Sequence, residues 1–231
     1  MGALRLFAEH ARDVWRVTGA WAPLVAAGWL VRREYLVMVR YVGPAGPPAR
    51  ASDARWTRVE AQAEELVRGG TFPGTRAGIR RQLEEGQECW VAWMDGEPAH
   101  WRWESSRPAW LPYLGLSLRP QLGDLCVVDV YTRPSFRGRG LHTAGTLLAL
   151  ERARASKLTR LIGLVAPWNR SARHVMEVKT RRTMVGSVGF WNLGARRYFS
   201  RGQVCLEPKG FTVATPARTA RPGAATPRVR T

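Results

Sequence analysis

An α/β fold built on a mixed sheet is predicted by three stretches of the sequence. Residues 125–131 form an apolar, Val-rich run stopped by Pro134, and a helical pattern begins at Leu141. A second apolar run, Leu161-Ile162-Gly163-Leu164-Val165, follows that helix, so the two strands lie parallel across a helical crossover. Residues 88–94 and 98–104 flank Asp95-Gly96, a pair that favours the positive φ angles of a tight hairpin.

The 231 residues suffice for one medium domain with a full core and appendages, and a hydrophobic fraction of 45% supports a folded chain. The formal charge is +18, almost all of it from arginine, because lysine occurs only at 157, 179 and 209. With abundant Ala, Gly and Pro, this charge admits either a solvated basic surface or a nucleic-acid partner. Cys89, Cys126 and Cys205 are widely spaced and odd in number. Neither a zinc pattern nor a disulfide framework is present, which suits a reducing, cytoplasmic location without metal.

In chain order, residues 4–31 read as helical, with Leu4, Phe7, Ala11, Val14 and Trp15 on one face. The apolar part, 18–31, contains Gly19, Pro23 and Gly28 and is shorter than the roughly twenty residues that span a bilayer. No cleavage site precedes Arg32-Arg33, so no transmembrane or secretory segment is expected. Two readings are open: a helix packed on the domain or on a second copy in a homodimer, or an interfacial anchor with Trp15, Trp21 and Trp29 at the headgroups. Arginines flank the apolar block instead of lining one helical face, which favours packing.

Residues 34–42 read as a strand, here the first of the sheet, and residues 57–68 and 76–85 as helices separated by a Gly- and Pro-containing loop. In the hairpin, Trp101 and Trp103 share one face and Trp90 lies on the opposite strand. They form either a core cluster or a stacking platform for bases. His100 reads as a sheet residue, and 105–123 as a connection. On the helix after Leu141, the positions Leu141, Ala144, Leu148, Ala155 and Leu158 mark an apolar face. Ser171 is the expected cap of a short helix to 179. Residues 184–190 and 195–199 read as a closing strand pair, and the Pro-, Ala-, Thr- and Arg-rich chain from 208 as a disordered basic tail. The organisation is thus a helical extension (1–33), a domain (34–207) and a tail (208–231).

Between the strand at 125–131 and its helix lies Arg137-Gly138-Arg139-Gly140-Leu141-His142. Gly138 and Gly140 let the backbone approach a ligand closely, and the amides sit at a helix N-terminus, where unpaired N–H groups and the dipole favour phosphate. At these residues the sequence resembles the GNAT N-acetyltransferase superfamily, whose acyl-CoA loop reads Gln or Arg, two residues, Gly, one residue, then Gly or Ala. Arg137 and Gly140 match. His142 stands where the family has a small residue, and its imidazole either crowds the pyrophosphate or donates to it. The resemblance covers roughly residues 85–199, about half of the chain.

The resemblance implies a GNAT-like mixed sheet with flanking helices, in which the two central parallel strands splay apart around the pantetheine arm. It implies acetyl-CoA, or another acyl-CoA, as co-substrate, no metal, and direct attack of an amine on the thioester. It places cofactor contacts at Val130, Tyr131, Thr132, Arg137, Gly138, Arg139, Gly140, Leu141, His142 and Asn169, with backbone N–H groups of 130–132 facing the oxyanion. Asp129 is the candidate base, unless it merely pairs with an arginine, and Asp124 is the second candidate. Relatives carry an acidic Tyr seven residues after the Asn; counting from Asn169 reaches Met176, whose thioether donates no proton. His174, Tyr131 or Tyr198 then substitutes, or the thiolate leaves unaided. Phe190 resembles the family's late Gly-Phe pair, or is ordinary strand packing. The expected activity is N-acyl transfer to a primary amine of a small molecule or a protein. The alternatives are a catalytically weak binding module and a basic nucleic-acid-associated protein.

Overall fold

In a computed structural model of the chain, the described residues are 27–28, 30–43, 53–59 and 76–215. The expected helix over 4–31 and the end of the tail lie mostly outside them. Among the described residues no helix is long and apolar enough to cross a membrane.

The strands are β1 (Arg32–Tyr41), β2 (Arg55–Val59), β3 (Glu88–Met94), β4 (Glu97–Ser105), β5 (Ala109–Leu111), β6 (Leu116–Leu118), β7 (Asp124–Thr132), β8 (Arg160–Val165), β9 (Thr183–Leu193), β10 (Ala195–Gly202), β11 (Val204–Glu207) and β12 (Gly210–Val213). Among the described residues the helices are α1 (Arg76–Glu84), α2 (Leu141–Ala155) and α3 (Arg170–His174), the last continued by a wider turn over Val175–Lys179, and residues 27–28 and 30–31 are also helical. Eight strands form one mixed sheet in the order β10-β9-β1-β8-β7-β4-β3-β2, and β11-β12-β6-β5 form a smaller one. β7 and β8 are parallel, as the crossover through α2 requires.

Alternation along each strand sorts side chains between two faces. Trp101 and Trp103 of β4, with Val37 and Val39 of β1, face the small sheet and pack on Leu111, Leu118 and Phe211. The tryptophans are 0% and 2% exposed, so they are core and cannot serve as a stacking platform. On the opposite face, Leu125 and Val127 of β7 pack against Ala149, Leu150 and Ala153 of α2. The hairpin is formed as the sequence indicates: Asp95 and Gly96 take φ of 54° and 78°, and β3 pairs antiparallel with β4.

Several expectations are corrected. Residues 55–59 are a strand where a helix was expected from 57. Thr57 and Val59 suit a pleated edge, β3 supplies the ladder, and Trp93 Nε1 donates to Thr57 Oγ1 at 2.7 Å. β1 is first in sequence but central in the sheet, inserted antiparallel between β8 and β9. It begins at Arg32, inside the stretch assigned to the extension. The buried stripe of α2 is Leu141, Gly145, Ala149 and Ala153, whereas Ala155 is exposed, because small residues let the helix sit close to the sheet. The connection 105–123 contains β5 and β6. Asn169, not Ser171, caps α3, its Oδ1 accepting from Ala172 N at 3.0 Å. β12 lies inside the stretch read as tail, because β6 offers it a parallel partner and Arg160 donates to the carbonyls of Val213 and Ala214.

Candidate active site

The site begins with a defect in strand pairing. Trp103 of β4 faces Asp129 and Glu104 faces Val127, so Val128 has no partner and β7 bulges there. The parallel ladder between β7 and β8 ends one step earlier, at Val127 and Gly163, although both strands run on. The edge of β7 beyond Val127 thus faces a gap, not a strand. A cavity of about 260 Å³ fills this gap, between Val128–Thr132 on one side and Gly163–Ala166 on the other. Tyr35 of β1, Tyr113 from the β5–β6 turn, His142 of α2, Asn169, Ala172 and Met176 add to its wall.

A second cavity, of about 450 Å³, lies beside it at the N-terminus of α2. Its rim is the predicted loop. Gly138 and Gly140 take φ of 81° and 75°, and a Cβ built on either meets nothing within 4 Å. Both glycines are therefore required by backbone conformation and both border open space. Gly140 is the N-cap of α2, so the first amides of that helix, which lack intrahelical acceptors, surround the opening. Arg137, Lys179 and Trp168 line it, and Arg137 Nε donates to Thr132 O at 3.2 Å, tying the loop to the end of β7.

Of the remaining predicted cofactor residues, Val130, Thr132, His142 and Asn169 border both cavities and Tyr131 the outer one. The Tyr131 ring stacks on Trp101 with centroids 4.7 Å apart. Leu141 reaches the outer cavity but is 2% exposed and packs with Phe136 and Ala99, so it offers backbone. The Asn169 side-chain oxygen is committed to the α3 cap. Arg139 borders neither cavity: its guanidinium lies over Phe136 and 3.8 Å from Asp95.

Asp129 lines the inner cavity and is open to the solvent within it, with protein packed around that opening. Burial raises its carboxyl above the ordinary value, and a hydrogen bond from the Val130 backbone partly offsets this. Tyr113 and Tyr35 stand together across the cavity, ring centroids 4.7 Å apart, with the Tyr113 hydroxyl donating to the bulge carbonyl of Val128 at 3.4 Å. Burial pushes both phenols up, so both keep their protons at neutral pH. His142 is pulled down to about 3 by burial and by Arg182 and Arg102, which makes it a neutral imidazole.

The other candidates lie elsewhere. His174 is exposed on α3 and borders neither cavity, because the cap at Asn169 sets its phase outward. Tyr198 donates to Gly115 O at 3.3 Å on β10, away from the gap. Asp124, at the far end of β7, is locked to Arg160 at 2.6 Å. Phe190 is 2% exposed core, and Met176, 4% exposed, gives the inner cavity an apolar wall. Sequence reasoning missed Tyr35 and Tyr113. No local signal marks them, since each reaches the site only through sheet pairing distant in sequence.

Residues 59–179 match the acetyltransferase (GNAT) family. No curated protein matches the chain. Among solved structures, a conserved protein of unknown function from Staphylococcus epidermidis aligns at 9% identity and TM-score 0.45, covering 68% of this chain and 59% of its own. A structure from Novosphingobium aromaticivorans, described as a GNAT-family acetyltransferase, aligns at 19% identity and TM-score 0.47, with coverages of 68% and 62%. The aminoglycoside acetyltransferase AAC(6')-Iy, in complex with a bisubstrate analogue of CoA, aligns at 20% identity and TM-score 0.41, with coverages of 55% and 88%. The chain spans less than two thirds of the length of the first two.

Proposed function

The chain belongs to the GNAT acetyltransferase family, and from that premise we propose that it is an acyl-CoA-dependent N-acyltransferase acting on an amine. The observation that carries the reading is the parting of β7 and β8 after Val127 and Gly163, with Asp129 inside the gap and the Gly138–Gly140 loop at its mouth. The outer cavity suits the pyrophosphate: open space over two glycines, helix amides and the cations of Arg137 and Lys179. The inner cavity suits the pantetheine arm and the acyl group. The free cysteines of the chain, Cys89, Cys126 and Cys205, fit a reducing cytosol.

In this reading the acceptor enters as its ammonium form and gives one proton to water. The neutral amine attacks the thioester carbonyl, forming the C–N bond, and the negative charge on the carbonyl oxygen is met by N–H groups at the unpaired edge of β7. Asp129, with its raised carboxyl, takes the second proton from the amine nitrogen. The C–S bond then breaks, and the thiolate takes a proton from the Tyr113 phenol, with Tyr35 as its neighbour in the same wall. Asp129 returns its proton to the tyrosinate through cavity water, so the protein ends unchanged. Met176 and Val165 keep the thioester side dry.

The test is Asp129→Asn, assayed for turnover over a panel of amines and, separately, for acetyl-CoA binding. We expect kcat to fall at least about a hundredfold with binding retained. Unchanged kcat would remove Asp129 from the chemistry. A wild type that binds acetyl-CoA and turns over no amine would leave only a cofactor-binding module.

A further inference from the structure

One buried guanidinium in this chain is fully provided for. Arg160, 2% exposed, donates to both oxygens of Asp124 at 2.6 and 2.8 Å and to the carbonyls of Val213 and Ala214 at 2.9 and 3.1 Å. Arg102 and Arg182, 1% and 4% exposed, are treated differently. They converge beneath α2, on the face of the sheet away from the small sheet, and each gives one Nη to the Thr146 hydroxyl at 3.4 Å. Arg102 is also paired with Glu104. Arg182 Nε and Nη1 and Arg102 Nη2 are buried without any hydrogen-bond partner.

The charges do not balance. Arg102 and Arg182 against Glu104 leave one uncompensated positive charge among groups at most 4% exposed. Arg152 adds another cation on Glu104, but its side chain is 23% exposed, stacked on Trp90, and screened by water. Burial and the nearby Arg102 lower the Arg182 guanidinium only to about 9, so it remains charged at neutral pH. Thr146 accepts from both arginines and keeps its own O–H as a donor. A buried cation with unmet donors is strongly unfavourable, and among the described residues no further carboxylate pairs with it.

We propose that Arg102, Arg182 and Thr146 form a buried site for one small monovalent inorganic anion, chloride under ordinary conditions, distinct from the acyl-transfer reaction. The charge deficit of one sets the valence, and the burial of all three side chains admits only a small ion. Gly163 lines the inner cavity, and a Cβ there would collide with Arg182 Nη1, so only backbone separates the guanidinium from that cavity.

The experiment is thermal unfolding of the full chain at fixed ionic strength, with sodium gluconate replaced stepwise by sodium chloride or bromide. Tm is expected to rise saturably, by about 5 to 10 °C at about a hundred times Kd. Arg182→Met removes the surplus charge, so it is expected to lose the halide response and to match or exceed the wild type in gluconate. Thr146→Val keeps both arginines and is expected to weaken the apparent halide affinity about tenfold, which preserves the test if the first variant folds poorly. Bromide in crystals is expected to give an anomalous peak between Arg102 and Arg182. A wild type without halide dependence, or an Arg182→Met chain that retains it, would overturn the site.

Discussion

Gly140→Ala separates the backbone role of the loop from its role toward a ligand. Gly140 sits at φ 75° and ψ 5°, and its missing Cβ faces open space. Alanine therefore meets no atom, and its only cost to the free protein is left-handed strain, about 1–2 kcal/mol. For a chain of this size that lowers Tm by roughly 2 to 8 °C. Gly194, in the β9–β10 turn, has the same φ of 75° and equally open surroundings, so Gly194→Ala is a matched control far from the loop. The two variants should lose similar stability without ligand. With acetyl-CoA at about a hundred times the wild-type Kd, the wild type and Gly194→Ala should each gain about 2.7 kcal/mol. A hundredfold weaker Gly140→Ala would gain only about 0.4 kcal/mol. The assay is differential scanning fluorimetry with and without acetyl-CoA. A Gly140→Ala variant with the full acetyl-CoA shift would refute the placement of the pyrophosphate over this loop.

Three further outcomes are expected. Tyr113→Phe should lower kcat by roughly a hundredfold with little change in KM, whereas an unchanged kcat moves the proton donor to Tyr35. His142 titrates near 3 in the fold against about 6.5 unfolded, so its contribution is complete above pH 6.5 and is lost as pH falls toward 3. The acid limb of urea stability should accordingly be shallower in His142→Gln, and an unaltered limb would assign the loss to other groups. Asp124→Asn leaves Arg160 buried against a neutral amide and should cost about 3–5 kcal/mol in urea unfolding, with acetyl-CoA binding retained in the folded fraction.

What the sequence revealed was local. The Asp95–Gly96 hairpin, the strand–loop–helix through Gly140 and the crossover to β8 each depend on residues near one another, and each was legible. Pairing between distant segments was not. Val128 bulges because β4 slips register against β7, and no residue type near 128 announces that slip. Thr57 and Val59 carry a strand signal too short to outweigh the helical spacing after them. His174 lies outside both cavities because α3 is capped at Asn169, two residues before Ser171, while Tyr35 and Tyr113 arrive from β1 and from the β5–β6 turn. Gly210–Val213 reads as the start of a tail until β6 is known to lie alongside it as a parallel partner.

The position of β1 has a kinetic consequence. Its neighbours, β8 and β9, lie more than a hundred residues downstream, as the pairing of Val37 with Leu164 and Gly186 makes plain. During synthesis the apolar strand Leu36-Val37-Met38-Val39 emerges first and finds its partners only after α2 and β8 have been made. Such long loop closure slows folding and leaves an unpaired strand exposed in the meantime. Tyr35 rides on that strand, so the wall of the inner cavity is among the last parts of the protein to come into being.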